Sequence, residues 1–306
     1  MGDAGMLLAM GLAMMVWRPC RSREGRAPRA AIALLLLSAA AVWLGSLGVA
    51  VAVAAGEVGN TWAACGVLWR QLLAGELVLW RVAPLIAWGT TFPVYGGYAT
   101  ARRLHDGQCL LRTLEVTGRS VQEATAMTPV LVVSALTTPA VTLGLARPQV
   151  LIDAQFWANA TPLVRDVVLA HELSHARGRH AVVEAVAALL TAPLRPLPAA
   201  HDVYDCVRRH LEALADDAAA RRHGVRAVGT AVGRIALASS PPAGLGAAGA
   251  CVWRVQRLMD PSSTTTWRDR AVLLAMVVMM TAGLVPGAID IASALGPITS
   301  ADFCPI

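Results

Sequence analysis

The sequence predicts a multi-pass α-helical membrane protein, with about four transmembrane helices and one cytoplasmic α+β domain. Three observations lead to this prediction. Of the 306 residues, 56% are hydrophobic and only 15% are charged, which is more apolar than soluble domains usually are. The mean hydropathy is positive, at +0.55, and the apolar residues fall into blocks long enough to cross a bilayer. The basic residues are all arginine, and many of them lie beside these blocks.

Two apolar blocks predict membrane spans by length alone. Residues 30–56 carry no charge and exceed the roughly 20 residues that a helix needs to cross a ~30 Å hydrocarbon layer. A second block begins at Ala271 and closes near Asp290. The block at residues 4–17 is shorter. We expect it to be a first span and not a cleaved signal peptide, because its arginines follow the apolar run instead of preceding it.

A further span is expected from Val78 to Ala101, although Arg81, Pro84 and Pro93 interrupt it. Cytoplasmic loops carry an excess of arginine, and four spans with both chain ends outside place every arginine-rich segment on the cytoplasmic side. These segments are residues 18–29, 102–103 and 268–270. The sequence therefore predicts three spans with short loops in residues 1–100, a cytoplasmic domain in residues 101–265, and a fourth span with an outer tail in residues 266–306.

The predicted domain begins as sheet. Three segments rich in Val, Leu and Thr favour strands, at residues 110–118, 129–136 and 140–153. An Ala-Arg-Pro sequence at residues 146–148 suits a hairpin turn inside the last of them.

The second half of the domain is predicted to be helical. Thr161 and Pro162 are a good N-cap and first-turn pair for a helix that ends near Gly178. A long helical pattern from Asp202 ends at Gly224, a suitable C-cap. The apolar stretch at residues 181–198 contains charges and prolines, so we expect it to pack on the domain or the membrane surface. Residues 239–249 predict a flexible connection.

The first of these helices carries the sequence HELSH at residues 171–175. His171 and His175 are four residues apart, so on a helix both imidazoles project from one face and reach a single ion. Zinc accepts neutral imidazole nitrogen, and catalytic zinc takes three protein ligands and one water. Glu172 is placed to take a proton from that water. The alternative is a helix surface that carries these three side chains by chance, so a third ligand is needed.

The metzincin pattern HExxHxxGxxH does not supply it, because residue 181 is alanine and His180 is one position short. Glu212, 37 residues after His175, is the better candidate, since a carboxylate from a second antiparallel helix is another common way to complete a zinc site. Taken alone, Glu212 fits a solvated surface better than a metal site, and HExxH upstream is what favours it as a ligand. Asp216 lies one turn further and is expected to accept the outer N–H of a ligating imidazole. The weaker candidates, expected at the surface or in loops, are His201, His210, Asp217, His223, Asp205 and Glu184.

Three pieces together resemble the BlaR/MecR-type membrane metallopeptidases: HELSH, EALAD at residues 212–216, and TPAVTLGLARPQVLI at residues 138–152. This family shares HExxH and a downstream ExxxD with the HtpX and CAAX-protease group. The resemblance implies a zincin-like metalloprotease domain with zinc ligands His171, His175 and Glu212, base Glu172 and supporting Asp216. It also implies that the hairpin around residues 147–148 supplies an edge strand along which a peptide substrate pairs.

Two departures from the family pattern stand out. His180 occupies a position where the family often has aspartate, and we expect it to lie outside the ligand set. Only about fourteen residues follow the last predicted span, where antibiotic-sensing members carry a large extracellular sensor domain. Sensing of a β-lactam in that manner is therefore not expected.

The sequence thus predicts a zinc endopeptidase in the plasma membrane with its catalytic domain in the cytoplasm. The expected substrate is a cytoplasmic or membrane-associated protein or peptide, and a transcriptional repressor in regulated proteolysis is one class. The lipid bilayer is the other expected partner. Nucleic acid is not expected, because the arginines are not interleaved with aromatic residues on one face. The alternative function is a non-catalytic membrane scaffold or signalling partner in which zinc is structural or absent.

Overall fold

The computed structural model describes residues 3–16, 28–56, 61–115, 119–120, 128–134, 136–239 and 245–260, with a few isolated positions between 271 and 278. Most of this part of the chain is helical. The helices are α1 (Asp3–Val16), α2 (Pro28–Ala55), α3 (Thr61–Ala74), α4 (Leu79–Thr91), α5 (Tyr98–Glu115), α6 (Ala154–Asn159), α7 (Pro162–Arg177), α8 (His180–Thr191), α9 (Pro198–His223), α10 (Val225–Ser239) and α11 (Leu245–Met259). The strands are β1 (Arg119–Ser120), β2 (Val130–Val133), β3 (Ala140–Leu143) and β4 (Gln149–Asp153).

The predicted fold class, about four transmembrane helices with a cytoplasmic α+β domain, is wrong. Among the described residues, α2 is the one unbroken helix long and apolar enough to cross a membrane, and it lies near the N-terminus. Helix α1 has 14 residues and so extends only about 21 Å, less than the ~30 Å hydrocarbon layer. A break between α3 and α4 bends the chain by 116°, so these helices add at most one broken span. The span predicted from Ala271 lies outside the described residues.

Helix α2 packs against the other helices over half of its most apolar stretch. Its Ile32, Leu35 and Val42 share a hydrophobic core with Val203 and Val207 of α9. The Trp43 indole N–H also donates a hydrogen bond to the carbonyl of Leu190 in α8, at 2.8 Å. Apolar composition does not distinguish a lipid-facing helix from a core-packed helix, so composition alone does not show that α2 crosses a membrane. The span count was overestimated because α1 is too short and the chain is bent between α3 and α4.

Helix α1 crosses α2 at two glycines. A Cβ on Gly45 would lie 2.5 Å from the backbone nitrogen of Leu8, and a Cβ on Gly11 would lie 2.8 Å from that of Val42. Real Cβ atoms do not come this close to backbone atoms, so the crossing requires residues without side chains. The two apolar helices are thereby joined into one layer that rests on α9.

The sheet has the strand order β1-β2-β4-β3, with β2 parallel to β4 and β3 antiparallel to β4. The strands predicted at 129–136 and 140–153 and their hairpin turn are confirmed. The strand predicted at 110–118 is wrong, because α5 continues to Glu115. Its Leu, Arg and Glu residues are good helix formers. In the described part of the chain, β3 forms an edge of the sheet.

Helix α7 packs across the sheet, where Leu173 joins Val150 and Ile152 in a buried cluster. The predicted ends of this helix are confirmed, since Thr161 precedes it in an extended conformation and Gly178 follows it. Helix α9 ends as predicted at Gly224, which has a φ of +84°. The predicted connection at 239–249 is partly wrong, because α11 begins at Leu245.

Candidate metal centre

Three side chains from α7 and α9 converge. The Nε2 atoms of His171 and His175 are 3.2 Å apart. A carboxylate oxygen of Glu212 lies 3.4 Å from His171 Nε2, and the other oxygen lies 3.6 Å from His175 Nε2. Within the described part of the chain, His171, His175 and Glu212 form the ligand group, whose side chains could together hold a metal ion.

The spacing of these atoms fits a tetrahedral ion. Bonds of about 2.0 to 2.1 Å to zinc, at tetrahedral angles, would place the ligand atoms about 3.3 Å from one another. The two imidazoles are largely buried, while the Glu212 side chain is 39% exposed. The exposed side of Glu212 leaves one direction from which water can reach the three ligand atoms. A small cavity of about 90 Å³, lined by His175, Glu212 and Thr142, opens beside them.

The outer nitrogen of His171 faces a buried charge. His171 Nδ1 lies 3.0 Å from Oδ1 of Asp216, whose side chain is 1% exposed. Asp216 in turn accepts two hydrogen bonds from Arg254, at 2.8 Å from Nε and 2.6 Å from Nη2. The remaining guanidinium nitrogen of Arg254, Nη1, lies 3.1 Å from the Glu212 carboxylate. Arg254 therefore compensates both carboxylates of the ExxxD sequence, and Asp216 takes the position predicted for it.

The outer nitrogen of His175 faces another imidazole. His175 Nδ1 lies 3.0 Å from Nδ1 of His180. When His175 Nε2 points at an ion, its proton must be on Nδ1, so His175 donates and His180 accepts. His180 then carries its own proton on Nε2, and it stays outside the ligand group as predicted.

A tight turn brings His180 back beneath α7. Arg179 adopts a left-handed conformation with φ +49°, which is unusual for a residue with a side chain. A Cβ on Gly178 would lie 2.5 Å from the His180 ring, so this position needs glycine. The Arg179 guanidinium also reaches the carbonyls of Leu145 and Ala146, each at 3.5 Å, and links the turn to the β3–β4 hairpin.

Glu172 is held by the edge strand. Thr142 of β3 donates a 2.6 Å hydrogen bond to Oε2 of Glu172, and the same hydroxyl lies 3.0 Å from the Glu172 backbone carbonyl. Burial raises the pKa of the Glu172 carboxyl above its usual value, against the lowering effects of His171 and the Thr142 hydrogen bond. A carboxylate with a raised pKa and a fixed position is suited to accepting a proton.

The two histidines have opposite pKa shifts. Burial alone would lower the pKa of His171, but hydrogen bonds to Asp216 and Glu212 outweigh it and raise this pKa to about 9. Burial lowers the pKa of His175 to about 4, and the charges of His171 and Arg254 act in the same direction. Burial would raise the pKa of Glu212, yet His171 and Arg254 hold it well below the usual range. The group therefore presents a protonated His171 to a carboxylate until a cation replaces that proton.

The weaker candidates lie elsewhere. Glu184 lines the small cavity, but its carboxylate is engaged by Tyr204 and Arg208. Asp217 pairs with Arg257 at 2.7 Å. His210 is buried in α9, and its pKa is lowered to about 4 by burial and nearby arginines. The others, His201, Asp205 and His223, are not part of the ligand group formed by the described residues.

Sequence reasoning missed two residues of this site. Arg254 lies in α11, beyond a predicted loop, and no spacing rule connects it to Glu212. Buried Leu258, one turn further on α11, packs with Val167 of α7 and sets the helix against the site. Thr142 lies in the segment at residues 140–153 that is part of the family resemblance. The alternation of side chains along that strand gave no indication that Thr142 contacts Glu172. The signal that could have indicated Arg254 is charge, since two carboxylates one turn apart in a buried helix need a cation.

The chain was compared with known proteins at three levels. No protein-family model matches the sequence, and neither a curated protein nor a solved structure gave a match. What the site does is therefore inferred from its geometry and chemistry.

Proposed function

We propose that this protein is a membrane-attached zinc endopeptidase. The observation that carries the proposal is the convergence of two imidazole nitrogens and one carboxylate at tetrahedral spacing, next to a buried glutamate held by a sheet edge. The likeness of HELSH, EALAD and the preceding strand to BlaR/MecR-type metallopeptidases supports the same function.

The donor set favours zinc over harder cations. Imidazole nitrogen suits zinc, whereas magnesium and calcium prefer sites made of oxygen alone. Three protein ligands with one open side are typical of catalytic zinc, while structural sites are usually closed by a fourth protein ligand. When bound, such an ion polarises a substrate carbonyl and lowers the pKa of a coordinated water to near 7.

The protein's own residues supply the remaining parts of a hydrolytic site. Glu172 accepts the proton from the attacking water and holds it on its carboxylate, which burial favours. Thr142 fixes the orientation of that carboxylate. Asp216 and His180 receive the outer N–H groups of the two ligand imidazoles, so that both rings keep their Nε2 atoms turned inward.

The substrate class follows from the position of β3. This edge strand contacts α7 through Thr142 and offers backbone groups on the side away from β4. An extended peptide that pairs with β3 would lie beside the ligand group and Glu172, which favours peptide bonds as the target. A cytoplasmic or membrane-associated protein, such as a transcriptional repressor, fits this geometry.

Membrane attachment is supported by the helices before the sheet. Helix α2 is long and apolar enough to cross a bilayer. Large apolar side chains are also exposed along α3, α4 and the start of α5, among them Trp69, Leu73, Leu79, Trp80 and Tyr98. An apolar surface of this kind fits lipid better than water. Arginines before α2 and after Ala101 favour the cytosolic side of the plasma membrane for the metal group.

The test measures zinc content and peptide hydrolysis of the purified full chain in nanodiscs. It compares the unaltered chain with two variants, each of which changes a different carboxylate on α7. Glu172→Gln should keep stoichiometric zinc and lose peptide hydrolysis by at least about a hundredfold, since general-base catalysis contributes about that much. Asp166→Asn, an exposed position on the same helix, is the matched control and should keep full activity. A comparison of the proteins in cells that carry either variant should show one uncut substrate with Glu172→Gln alone.

Two results would contradict the proposal. Proteolysis that is unchanged in Glu172→Gln removes this residue from the mechanism. Absence of stoichiometric zinc, with no hydrolysis by the unaltered chain, would instead favour the non-catalytic scaffold.

A further inference from the structure

A large cavity lies beyond His180 from the ligand group. It has a volume of about 1180 Å³ and opens between the first turn of α2 and helices α7, α8 and α9. Part of its lining is apolar, with Ile32, Ala170, Val183, Leu211 and Leu214. His180 and Leu211 line both this cavity and the small cavity beside Glu212, so the two cavities are neighbours.

The remaining lining is strongly basic. Four arginines line the cavity: Arg29, Arg177, Arg221 and Arg222. None of the four forms an ion pair with a carboxylate in the described part of the chain. Asp217 is the acidic residue among the described lining, and its carboxylate is bound by Arg257 at 2.7 Å. These four arginines are exposed to solvent, so four positive charges without a described carboxylate partner lie around the open side of the cavity.

The fold gives reasons for this concentration of charge at one place. Arg177 lies in the last turn of α7, and Arg221 and Arg222 lie in the last turn of α9, where basic side chains stabilise the helix dipole. Arg29 lies in the first turn of α2, whose N-terminal end adds partial positive charge. The C-terminal ends of α7 and α9 account for Arg177, Arg221 and Arg222, each helix on its own. They do not account for the position of all four arginines around one large, partly apolar cavity.

We propose that this cavity binds an anionic phospholipid, with the phosphate of the headgroup among the four arginines. A guanidinium group can donate two parallel hydrogen bonds to two oxygens of one phosphate. Arginine therefore recognises the shape of a phosphate as well as its charge. The apolar lining suits the glycerol backbone and the first methylenes of the acyl chains. Its volume exceeds that of typical small-molecule pockets, roughly 300 to 1000 Å³, so a headgroup with its attached chains can enter.

The position in the fold identifies lipid as the source of this phosphate. The cavity lies at the arginine-flanked end of α2, which among the described residues is the one unbroken helix long and apolar enough to cross a membrane. Lipid headgroups occur at the ends of such helices. A basic cluster beside such a helix attracts anionic lipid of the cytosolic leaflet. The site goes beyond the proposed peptidase function, and its test requires neither zinc nor proteolysis.

The test measures lipid binding to the delipidated full chain in detergent by native mass spectrometry. The probes are phosphatidylglycerol and phosphatidylcholine with identical acyl chains. The double variant R177Q/R221Q should bind phosphatidylglycerol at least about tenfold more weakly, because each arginine beside an anionic headgroup contributes to binding. The matched control R226Q/R234Q removes the same charge from exposed positions on α10, outside the cavity, and should bind as the unaltered chain does.

The variant R177K/R221K separates loss of binding from loss of folding, since it keeps both positive charges and should recover part of the affinity without the paired guanidinium contacts. Melting temperatures without lipid should differ by only about a few degrees among the four proteins, the size expected from loss of the helix-dipole contributions. Equal losses in both glutamine variants, or no preference for phosphatidylglycerol over phosphatidylcholine, would overturn the proposal. Inorganic phosphate forms a third arm: if it displaces phosphatidylglycerol at comparable concentration, the ligand is a free phosphate compound and the lipid proposal fails.

Discussion

His171 and His175 lie one turn apart on the same helix, yet their outer nitrogens meet different chemistry. His171 Nδ1 donates to a carboxylate that is bound by a guanidinium from α11. His175 Nδ1 donates to a neutral imidazole only five residues away in sequence. One ligand is thus oriented by a charged, long-range network, and the other by a local, uncharged turn.

The difference shows that the two imidazoles depend on different parts of the fold. On the His171 side, Asp216 is 1% exposed and is stable as an anion there because Arg254 and His171 surround it. Removing one partner of such a buried group leaves a charge without compensation. On the His175 side, loss of His180 leaves one N–H without its acceptor and no charge unpaired. Substitutions on the His171 side should therefore lower the stability of the protein. Substitutions on the His175 side should lower its metal affinity and change its stability far less.

The largest expected effect comes from Arg254→Met, which keeps an unbranched apolar stem and removes the guanidinium. The variant should lose about 3 kcal/mol of unfolding free energy, because Asp216 stays buried with one partner fewer. Denaturant unfolding of the metal-free full chain is the measurement.

The double variant Arg254→Met with Asp216→Asn is the control for this comparison. With the buried charge removed as well, the combined loss should be smaller than the sum of the single losses. Simple additivity would mean that Arg254 acts only by packing, and the charged side would not differ in kind from the other.

The sequence predicted the ligand group but not its charged support, and the reason is the range of each signal. HExxH and ExxxD are periodic within single helices, so local spacing indicates which side chains share a face. Arg254 comes from a helix whose position depends on the packing of Leu258 against α7. The span count failed because hydropathy does not show where a helix ends. Helix α1 has only 14 residues, and the chain bends by 116° between α3 and α4.

A smaller effect is expected on the uncharged side. His180→Ala removes the acceptor for His175 and should weaken zinc binding by about 10- to 100-fold, as loss of a ligand's hydrogen-bond partner usually does. Competition with a chromophoric chelator measures this affinity. The metal-free unfolding free energy should fall far less than in Arg254→Met.

Rescue by another acceptor distinguishes orientation from packing at this position. His180→Asp places a carboxylate there and should recover most of the zinc affinity. If alanine and aspartate weaken binding equally, His180 fills space beside Gly178 and does not orient His175.

The last expected effect is a pH dependence to which only one of the two histidines contributes. Zinc binds neutral imidazole, so at pH 7 the His171 proton, with a pKa near 9, must leave, while His175, with a pKa near 4, has none to lose. Calorimetry in buffers of different ionisation enthalpy should show about one proton released by the imidazoles at pH 7. Zinc affinity should therefore rise about tenfold per pH unit up to pH 9 and then level off.

The metal-free protein should respond in the opposite direction. The folded pKa of His171 is raised above the ordinary value of 6.5, so the stability that its protonated form contributes is fully present below pH 6.5 and is lost as pH rises to about 9. In Asp216→Asn this loss should shrink, because the first hydrogen bond that raises the pKa is gone. Release of two protons at pH 7 would show that His175 is also charged, and the two sides of the site would then be chemically alike.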